Sequence, residues 1–251
     1  MSETIVTPYP PEDQPPSSFL GRAVGMFISP GQAFESIVRR PNFLAPLIVA
    51  VVMAIAVTET MLHKIGMERI VLRSIELSSR ASQMSPDQLQ QAAHQGATIG
   101  AIFARVIELV GVPIYLLLVA AVGLFIVNVM FGGKTHFKVD FSVACYAFLV
   151  SLVGSVLALV LILFGDPEQF NPSNFIPSNP GFFLNPRETS KFLYTIASSF
   201  DIFTIWFLIL AAMGLSIASA RKVRTTPIFL TFMGLWLVWV LAKAGLSMIG
   251  G

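Results

Sequence analysis

Charge is scarce in this sequence and cysteine scarcer. Of 251 residues only 12% are charged and one is cysteine, whereas an ordinary soluble domain carries about 25% charged residues. Cys145 stands alone, which excludes an intrachain disulfide. The formal net charge of +2 is too small to point to nucleic acid, so no nucleic-acid partner is expected. Residues 1–18 hold neither a basic segment nor an apolar core, so they do not read as a cleavable signal peptide. Catalytic patterns are missing as well. There is no His-Glu-x-x-His, no Gly-x-Ser-x-Gly and no phosphate-binding loop. His63, His94 and His136 lack ligand spacing. No enzyme activity, metal or cofactor is expected.

What the sequence does have is apolar length. Hydrophobic residues make up 55% of it. They gather in five uncharged stretches, 41–58, 109–133, 141–165, 202–220 and 225–242. A helix rises about 1.5 Å per residue, so about 20 apolar residues cross the hydrocarbon core of a bilayer. The fold expected is all-α, a polytopic membrane bundle of five transmembrane helices at about 43–62, 108–131, 141–164, 201–220 and 227–248. Short amphipathic helices are expected in the N-terminal region and the first outer loop. Residues 1–18 form a Pro-rich tail with the composition of a disordered segment, and 19–251 form the membrane domain.

Between the stretches lie helix signals and turns. Ser29-Pro30 predicts a helix start, with Ser29 as cap, over 30–40. Ser85-Pro86-Asp87-Gln88 predicts another, with Gln88 placed to bond back to the cap. Residues 63–105 therefore read as two helices in a long polar loop. Pro113 predicts a kink in the second span. Gly132-Gly133-Lys134 reads as a tight turn joining the second and third spans. Small residues recur four apart, at Ala147, Ser151 and Ser155 and again at Ala212, Ser216 and Ala220, with Gly154 and Ala158 beside the first set. They predict close helix contacts, within the chain or in a homo-oligomer. The short loops containing Lys134, Lys138, Arg221, Lys222 and Arg224 are dense in cations. By the positive-inside rule that places the N-terminus inside and the C-terminus outside.

Ionisable groups near a membrane are the first place to look for function. Glu59 lies near the end of the first span and Glu108 opens the second, while Asp201 opens the fourth and Lys243 sits within the fifth. They are candidates for a polar path, set against the ordinary reading of residues that mark span borders. Asp201 fits a helix cap and Lys243 can extend to the interface.

Three groups of residues carry a family resemblance. The first is Phe27-x-Ser29-Pro30 followed by Phe34, Ile37, Pro41 and Pro46-Leu47. The second is Asn128 through Phe131-Gly132-Gly133-Lys134, with Phe137, Phe141-Ser142 and Tyr146. The third is Phe200-Asp201-x-Phe203-x-x-Trp206, then Gly214-Leu215. In order and spacing, over about residues 20–245, they resemble the Yip family of Ypt/Rab-GTPase-interacting membrane proteins, in its bacterial branch. The acidic-tyrosine-proline motif of the eukaryotic branch is absent from the tail. The resemblance marks Gly132, Gly133, Lys134, Tyr146, Asp201 and Trp206 as family-motif residues. It implies an integral protein of the bacterial inner membrane without catalytic residues, and the function expected is that of a partner-binding adaptor or membrane organiser. Its partners would be the lipid bilayer and a protein on the cytoplasmic face. The alternative reading is a small transporter or channel using the acidic residues.

Overall fold

The computed structural model describes residues 18–78, 83–166, 171–172 and 174–249. The Pro-rich tail lies outside them except for Ser18. The described residues form an all-α, membrane-spanning bundle. Helices α1 (Phe19–Ile28) and α2 (Pro30–Arg39) lead into α3 (Leu44–Lys64). Then come α4 (Met67–Glu76), α5 (Pro86–Phe125), α6 (Phe137–Ala147) and α7 (Ser151–Phe164). The chain ends with α8 (Lys191–Ser199), α9 (Ile202–Ala218) and α10 (Thr225–Ile249). Four spans are long and apolar enough to cross a bilayer: Leu44–Lys64, Pro86–Met130, Phe137–Phe164 and Thr225–Met248. A fifth arises if α8 and α9, bent by 49° at their junction, act as one.

The local chemistry explains most of these boundaries. Ser85 closes a capping box with Gln88: its hydroxyl accepts from Gln88 N, and its own N–H donates to Gln88 Oε1 at 2.9 Å. The helix that starts there does not stop in the loop. It continues through Pro113 to Phe125, 40 residues in all, merging the expected loop helix with the second span. Packing accounts for the merger. At Gly96 and Gly100 an added Cβ would meet Val71 and Met67 of α4 at 3.1 and 3.3 Å. The polar half of α5 is thus held against α4. Ser29 makes no side-chain cap bond to α2. Its N–H instead donates to Gly25 O at 2.9 Å and closes α1, a helix whose start is capped by the Ser18 hydroxyl.

The core runs along α6 and α9, with α2 and part of α5 packed on them. Phe34, Ile37, Leu116, Tyr146 and Phe207 are buried in it. Large apolar side chains on the outward faces of the spans, such as Leu118, Val156 and Trp239, are exposed, as lipid-facing surfaces are. Between helices in lipid, close packing replaces the hydrophobic drive, so small residues sit at the crossings. A Cβ on Gly154 would lie 2.9 Å from Phe203, and one on Gly214 would lie 2.4 Å from Val143. Ala147, Ala158, Ala212 and Ser216 are buried as well. These members of the small-residue stripes make their contacts within the chain.

Candidate functional site at the hairpin end

The most tightly built part of the molecule is the turn between α5 and α6. After Phe125 the helix widens for one turn into a π-helix over Ile126–Met130. It closes with Phe131 N donating to Ile126 O at 3.1 Å. Gly132 takes φ of 65°, a left-handed conformation that a residue with a Cβ adopts at a cost. Gly133 is buried, and its N–H donates to Val127 O at 2.8 Å. A Cβ there would meet Val127 Cγ1 at 2.7 Å and Val223 Cγ2 at 3.0 Å. Only glycine fits.

Asn128 holds the turn shut. Its Nδ2 donates to Thr135 O at 3.0 Å, and its Oδ1 accepts from Thr135 N at 2.8 Å. The Thr135 hydroxyl reaches on to Asp140 Oδ2 at 2.7 Å. Asp140 is only 1% exposed, and its Oδ1 has no hydrogen-bond partner. Ser142 donates to Lys138 O at 2.8 Å.

A second loop, between α9 and α10, abuts the first through Val223. Ala220 and Arg221 both have positive φ, 53° and 59°. Three bonds fix this conformation. Arg221 N donates to Ser216 O at 2.8 Å, Ser216 Oγ to Val223 O at 2.7 Å, and Ser219 Oγ to Ser216 O at 2.8 Å. Arg221 Nη2 also pairs with Glu35 Oε1 of α2 at 3.0 Å. The backbone is locked from below, and Lys134, Lys138, Arg221, Lys222 and Arg224 project from it exposed. Electrostatically this is a fixed cationic platform, suited to an acidic protein segment or to anionic headgroups. Among the described residues no group of three or more His, Cys, Asp or Glu side chains is placed to hold a metal.

Comparison with known proteins identifies the architecture. The family model for the Yip1 domain matches residues 24–245. The chain belongs to the Yip1 domain family. It is also similar to the membrane protein YknW of Bacillus subtilis (strain 168), with 29% identity over 195 residues, which is 76% of this chain and 75% of that protein. No solved structure matches.

Within this Yip1 domain Tyr146 and Trp206 brace the N-terminal helices. Tyr146 is buried, its ring 6.2 Å from that of Phe19. Its hydroxyl interacts with Arg22, a buried guanidinium that also donates to Arg40 O at 2.9 Å. Trp206 meets Phe27 edge-on at 5.7 Å. The motif residues on α6 and α9 thus contact α1.

The candidate polar residues fall into separate places. Glu59 forms a two-bond ion pair with Arg105 across α3 and α5, at 2.5 Å to Nε and 3.0 Å to Nη2. Glu108, one helical turn beyond Arg105, hydrogen-bonds Thr58. These two acids therefore share one small cluster. Asp201 sits at the α8–α9 break, where its Oδ1 accepts from Phe203 N at 2.9 Å and Thr204 N at 3.0 Å, and its other oxygen takes the Ser178 hydroxyl. Lys243 is exposed on α10. No hydrogen bond or ion pair between described residues joins the Glu59 cluster to Asp201 or Lys243.

Sequence reasoning passed over Arg105, Thr58, Arg22, Thr135 and Asp140. Asn128 carried a signal, as an amide inside an otherwise apolar run; the others become informative only once their partners are known. Asp201 offers a direct check on its role. Asp201→Ala should destabilise the protein by about 1–2 kcal/mol through loss of the cap, while Asp201→Asn, an equally good cap, should cost much less. Thermal unfolding of the purified full chain in detergent reads both. Equal losses would show that charge, not capping, is what matters there.

Proposed function

We propose that this Yip1-domain protein is a non-enzymatic adaptor or membrane organiser that binds a protein partner through its hairpin end. In this reading α8 and α9 form one bent crossing, which makes five. The hairpin end faces the cytoplasm of a bacterial cell, with the N-terminus inside, the C-terminus outside and the chain in the inner membrane. The observation that carries the proposal is the pair of interlocked loops. The bonds of Asn128 and Ser216 fix the backbone beneath five exposed cations, as recognition of an acidic surface requires. In this reading the tail over 1–18 serves the same partner. Self-association in the membrane is compatible with this role.

The test is gentle detergent extraction of the tagged full chain, followed by mass spectrometry of what co-purifies. A triple variant, Arg221→Glu, Lys222→Glu and Arg224→Glu, and a chain lacking residues 1–18 run in parallel. A stoichiometric partner is expected with the parent chain, reduced at least tenfold in the triple variant and weakened by salt. Retention unchanged in both variants would refute the assignment to this face. The Glu59–Arg105 pair on two spanning helices keeps a transporter in view as the second reading. Substrate or ion flux in proteoliposomes that Glu59→Gln or Asp201→Asn abolishes would favour it over the adaptor.

A further inference from the structure

At the opposite end of the bundle a cavity of about 540 Å³ opens among the C-terminal end of α4, the end of α7 and the chain between α7 and α8. That volume is within the usual range for small-molecule sites, about 300–1,000 Å³. Two arginines line it, Arg73 from α4 and Arg187 from the long connection, along with Asn171, Asn174 and Asn185. Arg73 Nη1 is engaged by Glu76 at 3.0 Å, yet its Nε is buried with no hydrogen-bond partner. A buried N–H donor without an acceptor is costly, even in a guanidinium whose charge is already paired. Arg187 is exposed and makes no ion pair among the described residues. Asp166 is the lone carboxylate among the described residues of the lining. The remaining wall is largely apolar, with Leu161, Phe175 and Phe182.

We propose that this cavity binds a phosphate group carried on a small organic moiety. The chemistry favours phosphate over carboxylate. One guanidinium fork occupies both oxygens of a carboxylate, whereas a phosphate group has further oxygens for a second arginine and an amide. The apolar wall then takes the carbon skeleton. Phe164 and Phe183, next in the chain to lining residues and exposed at 85% and 77%, extend the apolar surface beside the cavity. A phospholipid headgroup and a soluble organic phosphate present the same group, and the two sources are separable by experiment. This proposal is independent of the adaptor reading and of the orientation of the chain.

Three probes are titrated into the detergent-solubilised full chain by calorimetry: short-chain phosphatidylglycerol, glycerol phosphate and the matching diacylglycerol without phosphate. Arg187→Gln is the main variant, because the side chain is exposed and its loss leaves the fold intact. Arg73→Gln is the second, with thermal unfolding as the check on α4. We expect saturable binding of a phosphate-bearing probe and at least tenfold weaker binding in Arg187→Gln, the usual effect of losing a charge-assisted bond. Binding of phosphatidylglycerol but not glycerol phosphate assigns the site to a lipid headgroup. Binding of glycerol phosphate with similar affinity assigns it to a soluble ligand. The proposal is overturned if neither phosphate probe binds, if Arg187→Gln binds like the parent, or if diacylglycerol binds as well as phosphatidylglycerol.

Discussion

Asn128→Leu should destabilise the protein by about 3 kcal/mol and loosen the hairpin end. The substitution keeps roughly the same volume but removes the partners that Thr135 N–H and C=O have across the turn. Thr135 is buried at 8% exposure, so water does not readily replace them. Each buried group left unsatisfied costs about 1–3 kcal/mol, and two are created at once. The damage should also spread, because Thr135 hands its hydroxyl to Asp140, whose other oxygen is already unpartnered. Two measurements check this. Thermal unfolding in detergent should show the loss of stability, and brief trypsin treatment should cut at Lys134 or Lys138 faster than in the parent. A variant with unchanged melting and unchanged cleavage would mean that the turn is held by α6 packing and not by this amide.

Gly214→Val is the second large effect, about 3 kcal/mol by overpacking. Gly214 lies on α9 where α2 and α6 both press in. Its Cβ would stand 2.4 Å from Val143 and 2.8 Å from Phe34, and Phe34 is fully buried. Neither neighbour has room to retreat, so the chief outlet is for α2 to lift off α9, stretching the Glu35–Arg221 pair as it goes. Gly234 on α10 is the matched control. A Cβ there meets nothing within 4 Å, so Gly234→Ala should be neutral or slightly stabilising by helix propensity. Melting curves of the two variants in the same detergent make the comparison. Parent-like stability of Gly214→Val would show that the α2–α9 contact contributes little to the fold.

The broad architecture is legible in the sequence because lipid imposes simple rules. A span must be apolar and about 20 residues long, and such runs are visible without any knowledge of partners. The capping box at Ser85 is equally legible, being entirely local. The extent of α5 is not. Gly96 and Gly100 weaken a helix in isolation, and their packing on α4 offsets that weakness. The short α1 escapes a sequence reading for a related reason: it is held by contacts from Tyr146 and Trp206, more than a hundred residues away. The same limit applies to the polar groups. Glu59 is a conspicuous charge, but Arg105 looks like a loop residue until α5 is seen to run straight through it. At the hairpin end, Gly132, Gly133 and Lys134 are apparent as a turn, whereas the bond from Thr135 to Asp140 requires the turn's three-dimensional path.

The length of α5 has a mechanical consequence. Forty residues make a rod of about 60 Å, twice the roughly 30 Å of the hydrocarbon core. One end is clamped by the interlocked loops, and the other is packed along α4. Such a rod is a lever. A tilt of about ten degrees at the clamp moves the far tip by about 10 Å. Near mid-length Arg105 is tied to Glu59 of α3, in the position of a stay on a mast. The ion pair adds a polar tie to the packing of α3 on α5 at that level, far from the clamp at the base.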